Sequence, residues 1–94
     1  MTVADFQRLI EDIYFARDSA RGLHPTFAWL VEEVGELARA IRRGDPENMR
    51  EEFADVFAWL ATTASIAGVD LQEAAAKYRH GCPKCHGVPC ECPE

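Results

Sequence analysis

Apolar residues recur three and four places apart along most of the chain, the spacing that gathers side chains on one face of a helix. Val3, Phe6, Ile10 and Ile13 begin the pattern. Thr2 stands before them and Asp5 falls at the third helical position, a capping-box pair that predicts a first helix, ended by Gly22. Pro25 suits the first turn of a second helix, which carries Phe27, Leu30, Val31, Val34, Leu37, Ala38 and Ile41 as far as Gly44. Asp45-Pro46 is a cap followed by a first-turn proline. It opens a third helix bearing Met49, Phe53, Val56, Phe57, Leu60 and Ala64, with its end near Gly68. Asp70 and Glu73 form a second capping-box pair for a short fourth helix, Leu71 to about Tyr78. No segment alternates with the period of a strand. From His80 onward Gly81, Pro83, Gly87, Pro89 and Pro93 exclude a helix. The predicted fold is all-α: an antiparallel four-helix bundle over residues 1–80, its short connections favouring antiparallel neighbours, and a cysteine-rich tail over residues 81–94.

Composition narrows the picture. With 94 residues there is room for one small domain, and such a chain buries little core unless a metal, a disulfide or a partner helps. The third helix is apolar over a wide arc (Phe53, Val56, Phe57, Trp59, Leu60, Ala61, Ala64 and Ile66), more than one small bundle can cover. A homodimer, or a tetramer built from dimers, is therefore expected. No apolar run approaches the roughly 18 residues of a membrane span, and the start lacks the basic-then-apolar pattern of an export signal, so the expected compartment is the cytoplasm. A net charge of −6 argues against binding DNA, RNA or an anionic membrane, and in favour of holding cations.

The acidic residues are not scattered. The second helix contains Glu32-Glu33-Val34-Gly35-Glu36 and the third Glu51-Glu52-Phe53-Ala54-Asp55. Residues three apart share a helix face, which pairs Glu33 with Glu36 and Glu52 with Asp55. At about 100° per residue each pair borders its helix's apolar stripe, so packing stripe against stripe could bring the pairs together. Four carboxylates there repel unless cations neutralise them, and hard oxygen donors suit Mg²⁺ or Mn²⁺. Ordinary solvated faces would account for the same residues. Gly35 weighs against that reading, since a mid-helix glycine costs about 1 kcal/mol and usually marks a close approach.

With Leu30-Val31 before the first motif, Leu37 after it and the apolar run from Val56 to Leu60 after the second, these residues resemble the Glu-Glu-x-x-Glu and Glu-x-x-Asp signature of the MazG-type all-α nucleoside triphosphate pyrophosphohydrolases. The resemblance covers about residues 5 to 80. It implies Mg²⁺- or Mn²⁺-dependent hydrolysis of a nucleoside triphosphate between the α- and β-phosphates, giving the monophosphate and pyrophosphate and cleansing the nucleotide pool. By motif position Glu33, Glu36, Glu52 and Asp55 would bind the metal. Glu32 matches the first acidic position, placed to orient or deprotonate a water, though a plain surface carboxylate is the alternative. Trp59, one turn after Asp55, and Trp29, one turn before Glu33, are candidates to stack on a base; packed core tryptophans are the alternative. Lys77 falls where the family often places a phosphate-binding cation, and where a helix end also favours any cation. A phosphoribosyl-ATP pyrophosphohydrolase-like enzyme is a related alternative.

Cys82, Cys85, Cys90 and Cys92 are all the cysteines. Two close pairs across a short glycine-containing turn suit tetrahedral Zn²⁺ in a knuckle-like, structural site. Cys90-Glu91-Cys92 is tighter than the usual spacing, and His86 could replace one thiolate. Free thiols or disulfides are the other readings. A non-catalytic helical module that docks a partner through a zinc-binding tail is the rival to an enzyme.

Overall fold

The capping signals act locally, and each produces the helix end it predicts. In the computed structural model, which describes residues 1–94, the elements are α1 (Val3–Arg21), α2 (Leu23–Arg43), α3 (Pro46–Ala67) and α4 (Leu71–Ala75), closed by a single 3₁₀ turn, Ala76–Tyr78. At the start of α1 the Asp5 N–H donates to Thr2 Oγ1 at 3.0 Å and the Thr2 N–H to Asp5 Oδ2 at 2.9 Å. Gly22 alone joins α1 to α2. Its φ of 98° lies where L side chains are strained, so the abrupt change of direction needs glycine. Gly44 and Gly68 end α2 and α3, and Asp45 accepts the N–H groups of Glu47 and Asn48. Asp70 likewise accepts from Gln72 and Glu73, one half of the expected capping box. The fourth helix is shorter than its predicted span. It tightens to 3₁₀ after Ala75, because the turn at Gly81 removes the next residues that would supply α-type bonds.

The third helix is central. α2 packs along it and α1 packs against it. The buried residues are Gln7, Ile10 and Asp18 of α1, Thr26, Leu30 and Ala40 of α2, and Ala61, Thr62 and Ala64 of α3. Four of these nine are polar, so bonding as well as apolar contact fixes the packing. Gln7 ties α1 to the α3–α4 corner: its Nε2 donates to Ser65 Oγ at 3.0 Å and to the Val69 carbonyl at 2.9 Å, and its Oε1 accepts the Leu71 N–H at 2.9 Å. Thr62 donates to Asp18 Oδ2 at 2.8 Å, and Arg21 donates to Asp18 Oδ1 at 2.8 Å and Thr26 Oγ1 at 3.2 Å. Phe6 and Phe57 stack with centroids 4.4 Å apart.

Much of the predicted core faces outward. On α2 the stripe Phe27, Val31, Val34 and Ile41 is about half exposed, and on α3 so are Phe53, Phe57 and Leu60. The solvent-accessible area is 6972 Å², against roughly 5,400 Å² for a folded monomer of this mass. The radius of gyration is 15.5 Å, against roughly 12 Å for a compact chain of this length. The stripes are wider than the chain's own neighbours can cover. No single helix is long and apolar enough to cross a membrane.

Candidate functional site

Packing α2 along α3 carries the acidic segments of the two helices to one border. Carboxylate oxygens of Glu33, Glu52 and Asp55, one from each, lie within 4.8 Å of one another. No cation of the chain answers them, for the ion pairs are Arg21–Asp18 and Arg39–Glu36. Glu52 Oε2 is buried and has no hydrogen-bond partner. A buried, unpartnered carboxylate oxygen is costly, and two further carboxylates beside it raise that cost. Glu33 registers the strain: burial first, then the charges of Asp55, Glu52, Glu36 and Glu32, push its pKa above the ordinary 4.5. Three convergent carboxylates with an orphan oxygen fit a hard divalent cation such as Mg²⁺ or Mn²⁺.

Glu36 stands apart from the three. It is one turn further along α2, paired with Arg39 at 3.3 Å on a half-exposed surface. Glu32 is exposed and borders a shallow hollow with Ala28 and Trp29. Gly35 has nothing of its own chain within 4 Å of where a Cβ would sit, so the close approach expected there does not come from this chain.

Beside the carboxylates opens a pocket of about 440 Å³ lined by Arg17, Arg21, Trp29, Glu33 and Trp59. Glu33 belongs to both the acidic group and this pocket. The two indoles are 6.2 Å apart at a 23° angle, and the Arg21 guanidinium lies 5.0 Å from the Trp59 ring centre. Arg21 is fixed there by Asp18 and Thr26, and Asp18 by Thr62. Sequence reasoning passed over Arg17 and Arg21. Their four-residue spacing put them on one face of α1, but only the docking of α1 on α3 sets that face against Trp59. Lys77 lies in the 3₁₀ turn, its Nζ 5.6 Å from the Tyr78 ring centre, and does not line the pocket.

The four cysteines converge at the other end of the chain, with every Sγ within 4.8 Å of the others. The N–H groups of Glu91 and Gly87 bond to Cys85 Sγ and pull that thiol down to about 6. His86 is not in the group.

Residues 21–86, more than half of the chain, match the family model of the MazG nucleotide pyrophosphohydrolase domain. The chain belongs to the MazG family. Among the curated proteins no match accompanies this one. The matched segment holds Glu33, Glu52, Asp55, Trp29 and Trp59, and it runs into the tail as far as His86. Membership of the MazG family places the chain among the nucleotide pyrophosphohydrolases, hydrolases whose substrate is a nucleotide.

The raised pKa of Glu33 has a thermodynamic consequence. Between 4.5 and the raised value the folded chain binds more protons than the unfolded one. Without a divalent cation, the stability contributed by Glu33 is therefore expected to fall as pH rises through that window. Added Mg²⁺ is expected to restore it at neutral pH. Thermal melts across that range, in EDTA and in Mg²⁺, measure both effects. Identical melts in the two at pH 7 would count against a metal at these carboxylates.

Proposed function

We propose that this MazG-family chain hydrolyses a nucleoside triphosphate to the monophosphate and pyrophosphate, in a Mg²⁺- or Mn²⁺-dependent reaction that cleanses the cytoplasmic nucleotide pool. The observation that carries the reading is the buried, unpartnered Glu52 oxygen, grouped with Glu33 and Asp55 and opening through Glu33 onto a pocket with two tryptophans. Glu33, Glu52 and Asp55 hold the metal. When bound, it would neutralise the phosphoryl oxygens and lower the pKa of an attacking water. Glu36 can join the three by leaving Arg39, a half-exposed pairing of little strength. Glu32, on the adjoining face, orients or deprotonates the water. The indoles of Trp29 and Trp59 receive the base, and Arg17, which has no ion-pair partner, offers its charge to the phosphates. The working form is a homodimer or a tetramer built from dimers, because the apolar stripes of α2 and α3 are left about half exposed by the chain itself.

The deciding experiment is pyrophosphate release from a panel of ribo- and deoxyribonucleoside triphosphates, with Mg²⁺ and with EDTA. Metal-dependent release is expected from at least one of them. No release from any, by a folded oligomer, would favour a non-catalytic partner-binding module.

Trp59 gives a finer test. Stacking a base on an aromatic ring contributes about 1–3 kcal/mol. Trp59→Ala is therefore expected to raise KM about tenfold or more with a smaller change in kcat, while Trp59→Phe keeps most of the binding. Steady-state kinetics on the preferred nucleotide separate the two. An unchanged KM in Trp59→Ala would remove Trp59 from the binding surface.

A further inference from the structure

Residues 81–94 have almost nothing to bury. Val88 is their one aliphatic side chain and is 84% exposed. The segment is nonetheless drawn into a tight knot. The Cys82 N–H donates to the Gly87 carbonyl at 3.1 Å and the His86 N–H to the Cys82 carbonyl at 2.7 Å. A Cβ on Gly81 would fall 2.7 Å from the His86 carbonyl oxygen, and one on Gly87 would fall 2.6 Å from that of Pro89. Both positions must be glycine for the backbone to close this far. Apolar collapse cannot supply the drive, so it lies at the centre of the knot, where the four sulfurs meet.

Their separations are specific. Cys82 Sγ lies 3.7 Å from Cys92 Sγ, and Cys85 Sγ lies 3.9 Å from Cys90 Sγ. A tetrahedron of sulfurs around Zn²⁺, with Zn–S bonds of about 2.3 Å, has edges of about 3.8 Å. All four cysteines are free. Backbone N–H groups point at the sulfurs, as they would at thiolates: Glu91 and Gly87 donate to Cys85 at 3.3 and 3.4 Å, and Cys92 to Cys90 at 3.3 Å. Such bonds favour the charged, ligating form.

We propose that Cys82, Cys85, Cys90 and Cys92 form a closed tetrahedral site for one Zn²⁺ per chain, and that this metal folds the tail. An all-sulfur set selects a soft or borderline ion and leaves Mg²⁺ to the carboxylates of α2 and α3. Four thiolates complete the coordination shell, so the site is structural and takes no substrate. The short Cys90-Glu91-Cys92 spacing is accommodated because its sulfurs go to different partners, Cys90 beside Cys85 and Cys92 beside Cys82. His86 has a left-handed φ of 62° and lies outside the sulfur group, so the knot closes without an imidazole. Folding of the tail is then metal binding, while the bundle, held by its own caps and polar contacts, is independent of it.

The test uses the full chain, prepared under reducing conditions. Elemental analysis is expected to find about one zinc per chain. Replacing zinc with Co²⁺ is expected to give the visible bands of tetrahedral cobalt and the near-ultraviolet charge transfer of cobalt–sulfur bonds. Cys82→Ser with Cys92→Ser is expected to lose both signals, and His86→Ala to keep both. Chelation is expected to make the Lys84 bond readily cleaved by trypsin and to leave the helical circular dichroism unchanged. Glu52→Gln is expected to retain its zinc, so failure of the pyrophosphohydrolase reading would leave these signals in place. The proposal is overturned by a chain that holds no zinc and gives no cobalt bands on titration. It is equally overturned if the four thiols react with a thiol reagent at the same rate with and without added zinc.

Discussion

Glu52→Gln is expected to lower kcat/KM for pyrophosphate release on the order of 100- to 1,000-fold, the usual effect of deleting one group that stabilises transition-state charge. The substitution keeps the size of the side chain and removes one of three converging carboxylates. It strikes where the cost is already visible, since Glu52 Oε2 is buried without a partner and its charge helps raise the pKa of Glu33. The same change is expected not to lower the melting temperature in EDTA, because it relieves repulsion among the carboxylates. A large loss of activity without loss of stability separates a metal-holding role from a structural one. Glu36→Ala is expected to lose less than Glu52→Gln, because Glu36 stands outside the group and pairs with Arg39. Full activity in Glu52→Gln, measured on the nucleotide the wild type prefers, would move the metal away from these residues.

Helix ends were legible because caps are local. Thr2 with Asp5, Gly44, Asp45-Pro46 and Gly68 each act within one turn, and each sits where its chemistry requires. The acidic residues were legible in part for the same reason, since three-residue spacing within one helix puts two carboxylates on one face. Local spacing does not reveal competition. Glu36 is three residues from Glu33 and also three from Arg39, and in the fold it pairs with the arginine. Arg17 and Arg21 were invisible for another reason. Nothing in α1 marks them as pocket residues until α1 docks on α3 and the Asp18–Thr62 bond fixes the approach. The Cys82–Cys92 pattern announced a sulfur site, whereas spacing alone left open whether His86 replaces one thiolate, and in the fold the four sulfurs group without it.

Val31→Asp is expected to have the largest effect on assembly. Val31 is 54% exposed, and with Phe27, Val34 and Ile41 it forms a stripe along α2 that the chain leaves about half exposed. A second copy laid along this stripe would cover these apolar side chains, the kind of surface that obligate homodimers bury. A carboxylate at the centre of such an interface would be buried without a partner, so dissociation and a marked loss of thermal stability are expected. Light scattering over a range of concentrations should give a dimer or tetramer for the wild type and a monomer or insoluble chain for the variant. Gly35→Ala distinguishes a covered face from a free one even if Val31→Asp fails to fold. On a free helix face alanine stabilises by about 1 kcal/mol, and the chain's own atoms leave room for it. Beneath a closely packed second copy the added methyl group destabilises instead. A wild-type monomer at all concentrations, together with a higher melting temperature in Gly35→Ala, would leave α2 facing water.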